Sequence, residues 1–452
     1  MRDFRVIPSI ETLRQHDAVR ALEARFGAGA TLDALRASAD RVRAAIAAGT
    51  GPVTAEAAVT DIARGAEAAL AAHARGSLRP VINATGVIIH TNLGRAPIAP
   101  AALERVAAIA GGYSNLEYDL AAGARGSRSV HAESLLTTLT GAEAAIVVNN
   151  NAAATLLILA GLAEGREVLI SRGELVEIGG GFRVPDVMHQ SGAILREVGT
   201  TNRTRTGDYT AAVSPKTALF LRVHPSNFRI EGFTERPSLA DLVAAGRAML
   251  VPVVEDLGSG CLVAGLADEP TVQASIDAGI DLVCFSGDKV LGGPQAGIIA
   301  GRKALVDRLR AHPLMRALRA DKITYAVLEA TLGEYLAGRA AQTVPVQRML
   351  HWSADEIEAR ARALGDRLAA AGWRVALLSG TSAVGGGSAP GHGLPTVLLS
   401  VEREGQSAAA IEAWLRTLDP PVVARIENDR VVLDLRTVLP EQDGTLVEVL
   451  RA

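Results

Sequence analysis

From about residue 80 onward the chain alternates short aliphatic and β-branched runs with Ala-rich helical stretches, and few architectures accept that order. The runs are EAAIVVNN (143–150), REVLISR (166–172), TALFLRVH (217–224), VPVVED (251–256), DLVCFSGD (281–288) and AGIIAG (296–301). Their apolar character suits strands covered on both faces. Strands separated by helices pair in parallel through crossovers. The expectation is therefore an α/β fold with a mainly parallel sheet and helices on both faces. Ligands of such sheets gather beyond the carboxyl ends of the strands, so residues just after these runs are candidates for chemistry.

The flanks read differently. Residues 1–75 carry helical spacing in TLRQHDAVRALEARF, TLDALRASADRVRAAIAAG and TAEAAVTDIARGAEAALAAHARG, and their ten arginines are balanced by nine acids. After the helical stretch AVLEATLGEYLAG, the tail mixes helices with WRVALL, PTVLLSV, VVARIE and RVVLDLR, which suits a small α+β domain with an antiparallel sheet. The expected organisation is a helical domain at 1–75, a catalytic core at 76–335 and a small α+β domain at 336–452.

Composition excludes several classes. With 48% apolar and 21% charged residues the chain is neither disordered nor fibrous, and a net charge of −3 advertises no nucleic acid. Cys261 and Cys284 are too few for a disulfide scaffold or a four-cysteine metal site, and both read as packing residues. The N-terminus lacks the apolar core of a signal peptide, and no uncharged apolar run approaches ~20 residues, so a cytoplasmic location without a membrane anchor is expected.

Of the 46 basic residues only Lys216, Lys289, Lys303 and Lys322 are lysines, so a surviving lysine is a candidate for amine chemistry that arginine cannot perform. Lys289 follows the run DLVCFSG and opens the glycine-rich turn of FSGDKVLGGPQAG, where an amine reaches a cleft at a strand end and can condense with an aldehyde. Asp256 ends VPVVED, a setting in which a carboxylate needs a cationic partner such as a protonated pyridine nitrogen. VVNNNAAATLL runs from a strand into an Ala-rich helix whose first-turn amides suit a phosphate. Taken singly these are also a surface lysine, a loop-entry aspartate and an N-cap. Together they make a pyridoxal 5′-phosphate site, with phosphate at Asn150, Asn151 and Ala152, ring nitrogen at Asp256, aldehyde on Lys289 and a further phosphate hydroxyl from Ser286. Asp256 and Lys289 lie 33 residues apart in an order that resembles fold-type I, aspartate aminotransferase-like transferases.

Longer strings narrow the likeness. NATGVIIHTNLGRAP (83–97), YSNLEYDLAAGARGSR (113–128), GGGFRVPDVM (179–188), VGTTNRT (198–204), VHPSNFRIEGFTE (223–235), EDLGSGC (255–261) and FSGDKVLGGPQAG (285–297) resemble the bacterial selenocysteine synthases, the L-seryl-tRNA(Sec) selenium transferases. The likeness extends over the helical N-terminal segment and the late VVARIENDRVVLDLRTV block.

That resemblance implies conversion of L-seryl-tRNA(Sec) to L-selenocysteinyl-tRNA(Sec), with water eliminated to give an aminoacrylyl-tRNA intermediate and selenium then added from selenophosphate. It implies that Lys289 removes the α-proton, that Asp256 faces the cofactor ring and that Asp288 polarises neighbouring groups. Arg95, Arg316 and Arg319 look like the family's anion-binding arginines, and His224 or Asn227 like a contact to the cofactor's phenolic oxygen. Glu177 also lies in a family-like string, and no residue is evident for stacking on the ring. The resemblance further implies tRNA recognition by residues 1–75 and a homo-oligomer built as a ring of dimers. One alternative remains, a lyase or aminotransferase acting on a free amino acid or amino sugar acid, because Arg436 is an arginine of the kind that grips a free α-carboxylate.

Overall fold

The computed structural model describes residues 4–74, 76–178, 181–266 and 269–451, and divides into two compact units, Met1–Pro80 and Val81–Ala452.

The first unit holds α1 (Ile10–Arg14), α2 (Asp17–Phe26), α3 (Ala28–Ala48) and α4 (Ala55–Ala74). The helix expected over 12–26 is broken at His16, which adopts an extended conformation at the head of α2. On one continuous helix Leu13 and Val19 would point about 120° apart, and the break turns both into the same core. Leu35, Val42 and Ile46 of α3 and Ile62, Ala66 and Leu70 of α4 complete that core.

In the second unit the chain forms β1 (Val87–Ile89), β2 (Ala144–Val148), α5 (Asn151–Ala163), β3 (Glu167–Ser171), β4 (Ile194–Val198), β5 (Thr217–Val223), β6 (Val253–Gly258), β7 (Leu282–Ser286) and β8 (Gly297–Gly301). Strands β2 to β8 make a seven-stranded sheet in the order β2-β8-β7-β6-β5-β3-β4. Neighbours from β7 to β4 pair in parallel, whereas β8 is antiparallel to both of its neighbours. The short glycine-rich turn after β7 leaves no room for a crossover helix, so AGIIAG returns beside its predecessor in the opposite sense. Alternate residues serve two cores: Phe220, Val283 and Phe285 face one side, and Leu219, Leu221 and Cys284 the other. Each large side chain so buried contributes about 1.5–3 kcal/mol, and a charge on either face, as in Leu221→Asp, would be incompatible with folding.

Beyond this sheet come α6 (Leu314–Leu318), α7 (Ala354–Ala369), β9 (Arg374–Gly385), β10 (Gly393–Glu402), β11 (Arg425–Glu427) and β12 (Arg430–Asp434). The second sheet has the order β11-β12-β10-β9-β1 and is antiparallel except where β1 pairs with β9. Its first strand thus comes from residues 87–89, almost three hundred positions upstream of its partner. Helix α7 packs Ile357, Ala361, Leu364 and Leu368 into the core beneath.

Candidate active site

Four strand ends converge. Strand β2 delivers Asn149–Asn151, β5 delivers His224, β6 carries Asp256, and β7 leads through Ser286 to Lys289. Register fixes their neighbourhood: Val223 lies opposite Asp256, Asp256 opposite Cys284, and Gly297 opposite Val148. A Cβ at Gly297 would collide with the Asn150 carbonyl, so glycine there lets the turn into α5 close over β8.

Lys289 is the one buried lysine of the four. Lys303 pairs with Asp307, Lys322 donates to the carbonyls of Ile109, Ala110 and Gly112, and Lys216 is exposed. The Lys289 amine lies against Gly258, 3.8 Å from where a Cβ would sit, and that glycine has φ +79°. Burial pushes the amine below its ordinary pKa, opposed by Asp256 and Asp288 and reinforced by Arg95. The neutral, nucleophilic form of the amine is therefore reached more easily here than on an exposed lysine.

Asp256 is also buried. Asn151 Nδ2 donates to its Oδ1 at 2.8 Å and Thr155 Oγ1 to its Oδ2 at 3.1 Å. Burial pushes this carboxyl up, and Asn151, Lys289, Thr155 and His224 resist. The Asn151 side chain thus reaches across to the β6 carboxylate, which leaves the phosphate expected at this helix start to the backbone amides. Asn150 is likewise committed, accepting from the Ala153 amide at 2.9 Å as the cap of α5. The amides of Asn151 and Ala152 remain without an acceptor among the described residues. Ser286 is buried at the end of β7.

His224 donates its amide to the Asp256 carbonyl at 2.9 Å, and its Nε2 lies 3.6 Å from Glu269 Oε2. Glu269 was invisible to sequence reasoning: it sits in a loop of no recognisable pattern, and only folding brings it to His224. Asn227 is turned elsewhere, donating to the Glu177 carbonyl at 2.9 Å, so of the two candidates for a phenolic oxygen only His224 stays at the strand ends.

Arg95 pairs with Asp288 at 2.9 Å, beside Lys289. Arg316 on α6 is exposed and has no side-chain partner among the described residues. Arg319 is committed to Glu117 at 3.3 Å, a carboxylate that Arg128 and Arg125 also hold. Its backbone bridges to Val148 and the Leu318 carbonyl accepts from Asn149 at 2.9 Å, which ties the end of α6 to the turn before α5.

Burial pushes the Cys261 thiol up to about 11 and Cys284 well above its ordinary value, so neither is a ready thiolate. Arg436 is fully buried. Its Nε donates to Ser382 Oγ at 3.0 Å, Nη1 to the Met349 and Trp352 carbonyls at 2.7 and 2.9 Å, and Nη2 to the Pro395 carbonyl at 2.6 Å. That uses four of the five N–H groups of a guanidinium, and a substrate carboxylate would have to displace the protein's own acceptors.

Residues 81–439 match the family model described as L-seryl-tRNA selenium transferase. The chain is 50% identical to the L-seryl-tRNA(Sec) selenium transferase of Geobacter sulfurreducens over 100% of this chain and 99% of that protein. It is 52% identical to the protein of that name from Moorella thermoacetica over 83% of this chain and 82% of the other. Among solved structures, a D-glucosaminate-6-phosphate ammonia-lyase superposes with a TM-score of 0.58 at 22% identity, covering 83% of this chain and 95% of that one. That likeness bears on architecture alone, and with the strand order above it makes the fold a fold-type I α/β transferase.

Proposed function

The chain belongs to the L-seryl-tRNA selenium transferase family, and from that membership we propose that it converts L-seryl-tRNA(Sec) to L-selenocysteinyl-tRNA(Sec), using pyridoxal 5′-phosphate as cofactor and selenophosphate as donor. The observation that carries the reading is the pairing of a buried amine, Lys289, with a buried carboxylate, Asp256, at adjacent strand ends. The residues fit the cofactor's polar ends. Asp256 would hold the ring nitrogen, Lys289 the aldehyde carbon, the amides of Asn151 and Ala152 with Ser286 the phosphate, and His224 the phenolic oxygen. When bound, the cofactor supplies an electron sink for the pair left on the substrate's α-carbon.

Lys289, whose charged form burial disfavours, takes the α-proton at Nζ. The proton then held at Nζ is available to the β-oxygen, which leaves as water. Arg95, oriented by Asp288, and the uncommitted Arg316 offer planar forks to the oxygens of selenophosphate, and Arg319 joins them on release from Glu117. The committed Arg436 argues against a free amino acid as substrate, since its donors already serve the protein.

The first unit is read as the RNA-binding module, with exposed Arg20, Arg25, Arg36 and Arg43 meeting phosphates. Exposed Tyr113, Tyr118 and Leu120 suit contact with a second copy in a homo-oligomer. Among the described residues no helix is long and apolar enough to cross a membrane. Borohydride reduction followed by peptide mapping tests the cofactor assignment, which requires a pyridoxyl label on Lys289. Turnover of seryl-tRNA(Sec) against free L-serine tests the substrate: efficient use of free serine, indifferent to RNA, would reject the reading.

A further inference from the structure

A cavity of ≈ 440 Å³ opens beside the Lys289 site, within the 300–1,000 Å³ range of small-molecule pockets. His224 and Glu269 belong to its wall. The His224 amide is bonded to the Asp256 carbonyl, and Glu269 is close enough to act electrostatically on Lys289, so this wall is shared with the reaction site.

Among the charged groups of the cavity, Glu269 keeps an unused oxygen, and Arg229 and the exposed Glu231 have no side-chain partner among the described residues. The Glu269 side chain is 1% exposed; its Oε2 receives the Ala389 amide at 2.9 Å and faces His224, whereas its Oε1 has no hydrogen-bond partner. Burial alone would raise the Glu269 pKa, but His224, the nearby Ser259 hydroxyl and the Ala389 amide hold it below the ordinary value, and no donor lies within hydrogen-bond distance of Oε1. Three arginines line the cavity, and two are committed. Arg203 is paired with Glu235 and stacked 4.0 Å from the Phe233 ring centre, and Arg236 donates to Glu174 at 2.9 Å. Arg229 is exposed and has no side-chain partner among the described residues. Phe228 and Ile230 supply apolar wall.

One uncommitted cation, an apolar wall and one buried acceptor describe a site for a phosphate, a base and a sugar hydroxyl. The serine of an aminoacyl RNA hangs from the sugar of the terminal nucleotide, so that nucleotide must lie beside the amine that receives the serine. We infer that this cavity seats the 3′-terminal nucleotide of the RNA, with its free ribose hydroxyl donating to Glu269 Oε1 and its 5′ phosphate meeting Arg229. The inference rests on the seryl-tRNA reading and deepens it.

Binding of the trinucleotide CCA to the full-length holoenzyme tests the site without turnover. CCA should bind at least about tenfold more tightly than the same trinucleotide with a 2′,3′-dideoxy terminus, and Glu269→Gln should shrink that difference. Arg229→Ala, a change at an exposed position, should weaken CCA about tenfold and lower the salt slope by about 0.7, the amount for one phosphate on a single strand. Equal binding of the two trinucleotides by the unaltered protein, or an Arg229→Ala variant with unchanged affinity and salt slope, overturns the inference. Because the dideoxy comparison uses unaltered protein, a Glu269→Gln variant that fails to fold does not spare it. Intact trinucleotide discrimination without selenocysteinyl-tRNA formation would sink the selenium-transfer reading and keep the site; the reverse pattern would sink the site alone.

Discussion

Thr155 donates its hydroxyl to Asp256 Oδ2 at 3.1 Å from one turn inside α5, directly behind the Asn151 amide that holds Oδ1. The helix that follows β2 therefore clamps a carboxylate on β6. Burial drives that carboxyl toward its neutral form, and these donors stabilise its charged form, the form a protonated ring nitrogen requires.

Thr155→Val removes one donor at nearly constant volume. A hydrogen bond to a charged group contributes about 1.5–3 kcal/mol, so the affinity for pyridoxal phosphate should fall about tenfold to a hundredfold. Equilibrium dialysis of cofactor against the variant measures it, and an unchanged dissociation constant would show that Asn151 and Lys289 suffice to hold Asp256.

Lys289 makes the cofactor-free protein sensitive to alkali in a defined direction. The unfolded chain protonates this amine below 10.5, whereas the folded chain resists until a lower pH is reached. Between the two values the unfolded state binds more protons, so stability rises with pH by up to about 1.4 kcal/mol per unit, is complete above the unfolded value and is lost as pH falls through the folded one. Urea titrations at pH values below 10.5 should show stability rising toward that value in the cofactor-free protein and a flatter profile in Lys289→Met.

Arg95 holds φ at 65°, a region costly for a residue with a Cβ. Arg95→Gly should relieve about 1 kcal/mol of strain while deleting the guanidinium beside Asp288. The expected result is an undiminished melting temperature with KM for selenophosphate raised at least about tenfold. A variant that loses stability and keeps its KM would assign Arg95 to the fold.

Particular residues show how far the sequence could be read. Lys289 and Asp256 were legible because each stands at the end of an apolar run in a chain with few lysines, and strand ends of parallel sheets converge by geometry. The role of the Asn151 side chain was not legible: its position on the first turn of α5 is local, but its side chain answers to β6, 105 positions away. Glu269 and the recruitment of residues 87–89 into the second sheet depend on contacts between distant segments, which no local spacing encodes. Arg436 looked like a carboxylate grip because residue type alone does not reveal that Ser382, Met349, Trp352 and Pro395 already occupy its donors.

Arg436→Ala should accordingly behave as a folding defect. It strands three backbone carbonyls and removes one of two partners of the Ser382 hydroxyl, which still donates to Asp434 at 2.7 Å, a loss of about 3–5 kcal/mol. Denaturant unfolding should register that loss, while the preference for seryl-tRNA(Sec) over free serine in the surviving folded fraction stays unchanged. A selective change in that preference would restore Arg436 as a substrate contact.

Residues 81–452 should fold and load cofactor without the first unit. The buried side chains of α1 to α4 form a core drawn from residues below 81, and the family match begins at residue 81, so neither the catalytic strands nor their two cores draw on the helical segment. A protein lacking residues 1–80 should keep the borohydride-fixed label on Lys289 and the cooperative unfolding of the second unit. If the helical unit holds the RNA, the same protein should lose at least about tenfold in affinity for tRNA(Sec), together with the part of the salt dependence that its arginine–phosphate contacts contribute. Filter binding at two salt concentrations separates the possibilities: a truncated protein that binds tRNA(Sec) with the full-length affinity and salt slope would move RNA recognition onto the second unit, where Arg229 and the arginines around Glu117 would have to carry it.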